Sequence, residues 1–167
     1  AWPFVDVAED FWASDAIAWA YENGYMNGNS ASTFNPGGSV TRQQLWMILA
    51  RLSGERPASM AEAKAWAVEN GISDGSNPGN AVSRQQMVTI LYRYAHLMGY
   101  KTSGSAALDI FPDSAKVAPY AQDAMAWSIA NGIVGGTTQG TLNPGGTANR
   151  AQFATILQRF CKNIVED

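Results

Sequence analysis

Only one of the 167 residues is cysteine and one is histidine, and just 15% are charged. A single thiol, Cys161, can close no intrachain disulfide and leaves no CxxC pair for zinc; compartment stays open on that ground. His96 has no Asp, Ser or Cys at a spacing that suggests catalysis and reads as a helix-surface or core residue. Asp109 and Asp113 are near neighbours, but paired glycosidase carboxylates need a cleft and a placed substrate that nothing else in the sequence supports. Asn27, Asn29 and Ser30 lack the carboxylates of a calcium loop. No catalytic site, metal or cofactor is expected. Lysine and arginine, 11 against 14 acidic residues, form no run, and the formal net charge of -3 argues against nucleic acid, which is bound by basic clusters. No apolar run approaches the roughly 20 residues of a membrane span, so membrane insertion is not expected. With charge so sparse, polar surface falls to Asn, Gln, Ser, Thr and Gly, a surface suited to carbohydrate as readily as to protein.

What the chain does have is repetition. Val40-Thr41-Arg42-Gln43-Gln44, Val82-Ser83-Arg84-Gln85-Gln86 and the weaker Ala148-Asn149-Arg150-Ala151-Gln152 each open an apolar periodic run. Ahead of each lies a glycine-rich loop, and ahead of that a helical pattern with a tryptophan, Trp19, Trp66 or Trp127. The tryptophan-to-arginine spacing is 23 residues in the first and third copies and 18 in the second, whose loop is shortened. The unit is helix, turn, helix, and the boundaries fall at 1–54, 55–104 and 105–167. Each unit has an apolar face that only a neighbour can bury. The expected fold is therefore all-α, three helix-turn-helix repeats closing as one pseudo-threefold body around a central helical bundle.

Local signals place the elements. First helices are expected at about 13–23, 59–70 and up to 131, ended by Gly24, Gly71 and Gly132 as left-handed caps. Second helices start after Thr41, Ser83 and Asn149, with Gln44 three residues past Thr41 in the manner of a capping box. Their apolar stripes are Leu45, Ile48, Leu49 and Leu52; Met87, Ile90, Leu91 and Tyr94; and Phe153, Ile156, Leu157 and Phe160. Phe34, before Asn35-Pro36-Gly37-Gly38, is expected to fasten its loop to the core. Residues 99–107 read as an exposed linker.

Arg42, Arg84 and Arg150 stand where propensity would not put them, since a cation in the first helical turn opposes the dipole by about 0.3 to 1 kcal/mol. Two explanations remain open. One is structural: a salt bridge, with Asp6 and Asp113 as acceptors, or packing of the aliphatic stem. The other is an anion site where free backbone N–H groups and a guanidinium fork converge on a carboxylate or phosphate. The second unit lacks an aspartate strip of its own, which makes Arg84 the arginine expected to be free for ligand. Trp19, Trp66 and Trp127 are read as core, Trp12 as partly exposed beside a groove, and the turn glycines Gly24, Gly28, Gly71, Gly75, Gly132 and Gly136 as mainly conformational.

The order Phe-x-Asp, Trp, Gly-x-x-x-Gly, Phe-x-Pro and Thr-Arg at a helix start, met three times over nearly the whole chain, resembles the S-layer homology family. The resemblance implies a non-catalytic, extracellular module, associated with the cell wall or S-layer. Such modules commonly bind pyruvylated secondary cell-wall polysaccharide attached to peptidoglycan in Gram-positive bacteria. It also implies a spindle-like body with grooves between neighbouring repeats. By motif position it assigns Arg42, Arg84 and Arg150 to the acidic sugar, with Asp6, Trp12, Asp113, Gly24, Gly28, Gly71, Gly75, Gly132 and Gly136 lining grooves. The expected partner is thus an anionic wall polysaccharide, and the isolated module is expected to be a monomer. A structural or protein-interaction module with degenerate sugar grooves is the alternative. The family's Thr-Arg-Ala-Glu is altered in every copy, the glutamate being absent throughout, and the second unit lacks Phe-x-Asp. Unequal grooves are expected.

Overall fold

In the computed structural model, which describes residues 2–166, the chain forms α1 (Ser14–Glu22), α2 (Arg42–Ser53), α3 (Met60–Glu69), α4 (Arg84–Met98), α5 (Gln122–Ala130) and α6 (Arg150–Phe160). Two short 3-10 turns precede α5, and α6 runs on as a π-helical turn over Cys161–Val165. Among the described residues there is no strand, only isolated antiparallel bridges. No described helix is long and apolar enough to cross a membrane.

The second helix of each pair starts from a complete capping box. The Thr41, Ser83 and Asn149 side chains accept the N–H of Gln44, Gln86 and Gln152, whose side-chain oxygens accept the cap N–H at 3.0, 2.9 and 2.9 Å. A glutamine carbonyl accepts this bond as a glutamate would, so losing the family's charge leaves the cap intact. Thr41→Ala or Ser83→Ala is therefore expected to cost about 1 kcal/mol in a denaturant titration. Gln43→Ala, at a half-buried position outside the box, should cost much less; equal losses at Thr41 and Gln43 would remove the capping argument.

Packing between pairs runs in one direction. The first helix of each pair leans on the second helix of the pair before it: α3 on α2, α5 on α4, and α1 on α6. The bridges follow the same cycle, each joining a cap residue to the residue three before the motif arginine of the next copy: Thr41 to Ala81, Ser83 to Thr147, Asn149 to Ser39. A contact between unlike surfaces that closes after three steps is a heterologous ring, here within one chain. Helices α2, α4 and α6 bury the expected stripes in one continuous core, with Leu52 half-buried at its margin. The fold is the all-α, pseudo-threefold body expected from the repeats.

Trp127 is fully buried, while Trp19 and Trp66 pack half-buried against the core. The segment 99–107 is largely exposed, as expected of a linker, but its backbone is bonded to α5. Trp127 Nε1 donates to the Lys101 carbonyl at 3.2 Å, Ala106 N to the Ala126 carbonyl at 3.1 Å, and Asn131 Nδ2 to the Ser103 carbonyl at 3.0 Å. A buried indole N–H usually finds an acceptor, and for Trp127 this segment supplies it.

Candidate functional site

The cyclic packing determines where each motif arginine goes. Arg42 Nε donates to the Ser76 carbonyl at 2.8 Å and its Nη2 to Ser73 Oγ at 3.2 Å. Arg84 Nε donates to the Leu142 carbonyl at 2.8 Å and its Nη2 to the Gly135 carbonyl at 3.0 Å. Arg150 Nε donates to the Phe34 carbonyl at 2.9 Å and its Nη2 to the Asn27 carbonyl, with the guanidinium 4.4 Å from the centre of the Phe34 ring. Each arginine thus reaches out of its own pair into the loop of the next, and the carbonyls it finds there offset its unfavourable place on the helix dipole.

The free backbone N–H groups anticipated for an anion site are not free. The N–H groups of Arg42 and Gln43 donate to the Asn80 and Pro78 carbonyls, those of Arg84 and Gln85 to Gly146 and Pro144, and those of Arg150 and Ala151 to Gly38 and Pro36. With the N3 N–H taken by the cap, these helix starts are closed by protein. The anion chemistry that remains belongs to the guanidinium: in all three arginines Nη1 has no hydrogen-bond partner among the described residues.

Asp6 and Asp113 are not the salt-bridge acceptors anticipated either. The only such pair within 4.0 Å among the described residues is Arg42 with Asp74, at 3.5 Å. Asp6 instead accepts the N–H groups of Phe34 and Asn35 at 2.9 and 2.8 Å, and Asp113 those of Leu142 and Asn143 at 2.9 and 2.8 Å. Each aspartate shapes its own loop and so positions the carbonyl that receives the neighbour's arginine. Burial works against ionisation of Asp6, but the two N–H groups and the Arg150 charge hold its carboxyl below the usual range. The Leu142 and Asn143 N–H groups do the same for Asp113. Burial pushes Arg84 and Arg150 below the ordinary arginine value, with the Asp113 and Asp6 carboxylates acting in the opposite sense.

This arrangement inverts the reason for expecting Arg84 to be free. The carboxylate beside an arginine comes from the following pair, so Arg84 lies near Asp113, and the arginine without a Phe-x-Asp neighbour is Arg42. There Asp74 stands in, also accepting the Ser76 N–H and hydroxyl at 2.9 and 2.6 Å.

Three grooves result, each built from a motif arginine, the next pair's loop, one face of that pair's second helix, and a residue at the start of the following first helix. The groove at Arg84 has a volume of about 500 Å³ and is lined by Gly135, Gly136, Thr137, α6 and Trp12. That at Arg42 is about 430 Å³, with Asp74, α4 and Tyr120. That at Arg150 is about 180 Å³, with Asn27, Gly28, α2 and Met60. Trp12 is 62% exposed beside its groove, and Tyr120 holds the corresponding place in the groove of Arg42.

The glycines divide. Gly24, Gly71 and Gly132, at φ of 74°, 71° and 69°, end the first helices and line none of these grooves. Gly28 and Gly136 do line grooves, and a Cβ there would stand 2.5 and 3.1 Å from the Phe4 and Phe111 rings. Gly75 is buried against Lys64 and Val68 and lines no groove. Sequence reasoning missed a second cation in every groove: Arg51, Arg93 and Arg159. Each lies nine residues after a motif arginine, an offset visible in the aligned repeats.

The S-layer homology domain profile matches residues 3–45 and 110–154, the first and third copies, over half of the chain together. An endoglucanase from Bacillus sp. (strain KSM-635) is 29% identical over 94% of this chain and 18% of its own length. The surface-layer 125 kDa protein of Lysinibacillus sphaericus is 25% identical over 92% and 14%, and an S-layer protein of Bacillus thuringiensis subsp. finitimus 25% over 96% and 21%. The chain thus spans less than a quarter of the length of these relatives. Among solved structures, an undecaheme cytochrome from the S-layer of Carboxydothermus ferrireducens matches the fold with a TM-score of 0.50 at 18% identity, over 75% of this chain and 18% of that one. The matched segments include Arg42 and Arg150 with the loops that precede them, and by this match the chain belongs to the S-layer homology domain family.

Proposed function

We propose that the chain is a non-catalytic anchor that holds a surface protein to the cell wall by binding an anionic, pyruvylated secondary wall polysaccharide in the grooves between helix pairs. The observation that carries the reading is the recurrence, at all three contacts, of a groove lined by a motif arginine with an unpartnered Nη1. Relatives that include surface-layer proteins and a much longer endoglucanase agree with an anchoring role outside the cell. A polymer bearing regularly spaced carboxylates gains effective concentration when more than one groove engages. The protein-interaction alternative is favoured by one observation at one place: Asp74 sits against Arg42, so that groove carries an anion of its own.

Sedimentation with purified wall sacculi, before and after extraction of the polysaccharide, tests the proposal. The protein should pellet only with the unextracted wall. Arg84→Ala should weaken binding by about 1.5 to 3 kcal/mol, the scale of a charge-assisted hydrogen bond. Arg84→Lys should rescue only part, because an ammonium cannot replace the guanidinium fork. The side chain also latches the third loop, so a thermal melt must show the variant folded at the assay temperature. Equal pelleting with extracted walls would end this reading.

A further inference from the structure

The three grooves differ in what their second arginine is doing. Arg51 Nη1 donates to the Tyr25 carbonyl at 3.3 Å and Arg93 Nη1 to the Ile72 carbonyl at 3.2 Å. Tyr25, Ile72 and Ile133 are equivalent positions, each following a helix-ending glycine. Arg159, the third member of the set, makes no bond to Ile133 and has no hydrogen-bond or salt-bridge partner among the described residues. It is exposed on α6 and lines the groove of Arg84. The aromatic position varies in parallel: Met60 in one groove, Tyr120 in the second, and the largely exposed indole of Trp12 in the third. Only at Arg84 do an uncommitted second guanidinium, a tryptophan face, and side-chain-free backbone at Gly135 and Gly136 meet, and this groove is the largest of the three.

We infer that this groove is the primary site, with Arg159 and Trp12 as its specificity-determining residues: Trp12 stacks on the face of a hexopyranose whose carboxylate is shared by Arg84 and Arg159. The inference rests on the anchoring reading above and adds to it which groove and which residues select the ligand. An indole offers an apolar face to the axial C–H bonds of a sugar and keeps little conformational freedom to lose. Two guanidinium groups can receive both oxygens of one carboxylate, which a neutral sugar cannot offer. The site joins opposite ends of the chain, Trp12 coming from the first pair and Arg159 from the last.

The test is calorimetric titration of the whole chain with a pyruvylated wall-polysaccharide fragment, the same fragment after mild-acid removal of the ketal, and a galacturonate oligomer. One high-affinity equivalent per chain is expected for the pyruvylated fragment, and at least tenfold weaker binding for the depyruvylated one. Arg159→Ala, Arg159→Gln and Trp12→Ala should each lose about tenfold or more in affinity. Their unfolding midpoints should not change, since neither side chain is committed to the fold. Trp12→Phe should restore part of the affinity and abolish a fluorescence change that the wild type shows on binding. Galacturonate binding as tight as the pyruvylated fragment's supports a carboxylated-sugar site that is indifferent to the source of the carboxylate. If Arg159→Ala and Trp12→Ala bind as the wild type does while Arg84→Ala or Arg42→Ala does not, this inference falls and the anchoring reading stands. If the wild type binds none of the three ligands and no wall, both fall.

Discussion

Residues 55–104 produced alone will not fold. This segment holds α3 and α4, but α3 buries its face on α2 and α4 packs against α5, so both partners are removed. What α3 brings to the core is Ala63 and Ala67, fully buried, and the half-buried Trp66. At about 50 residues a chain is marginal even with a core of its own, and this one would leave the Met87, Val88, Ile90 and Leu91 stripe exposed. The Arg84 and Gln85 N–H groups would also lose the Gly146 and Pro144 carbonyls. The expected result is a coil-like far-UV circular dichroism spectrum and no cooperative melt, against a single cooperative transition for the whole chain. Release of a stable fragment of that size by limited proteolysis would show that the ring is not the folding unit.

Phe34→Ala should cost about 3 to 5 kcal/mol, the range for deleting a buried aromatic side chain. The ring is fully buried, meets Phe4 edge-on at a centroid distance of 5.3 Å, and lies under the Arg150 guanidinium. Its carbonyl accepts Arg150 Nε and its N–H is held by Asp6, so the side chain anchors the loop through which the third pair grips the first. Phe34→Leu should cost far less, because Leu142 fills the equivalent place and serves Arg84 with the same carbonyl. Denaturant titration of both variants decides it: equal losses would mean that loop geometry, rather than filling of the core, sets the value of this position.

Much of this architecture was legible because it is local. The capping boxes at Thr41, Ser83 and Asn149, the glycine ends of the first helices and the apolar stripes follow from spacings of three to five residues. The direction of the ring was not legible. Nothing near Arg84 in sequence says that it will reach Leu142, 58 residues away, or that Asp113 will hold a backbone turn instead of facing an arginine inside its own pair. An argument from local acceptors therefore chose Arg84 for a reason the packing reverses. Arg159 was legible in principle from its offset of nine residues from Arg150, yet an arginine on an exposed helical face reads as solvated until the groove beneath it is known.

The last contact of the ring has a consequence for the order in which the protein is made. Two of its three interfaces join elements consecutive in the chain, α2 with α3 and α4 with α5, whereas α1 must find α6, and Arg150 its loop 116 residues earlier. A chain synthesised or exported from its N-terminus therefore carries α1 without α6, and the Phe34 carbonyl without Arg150, until α6 emerges. Loop-closure entropy rises slowly with length, so the long separation takes little from stability and acts mainly on the rate of folding. The groove that joins Trp12 to Arg159 is complete only at that moment, so the site cannot exist on a partly made chain.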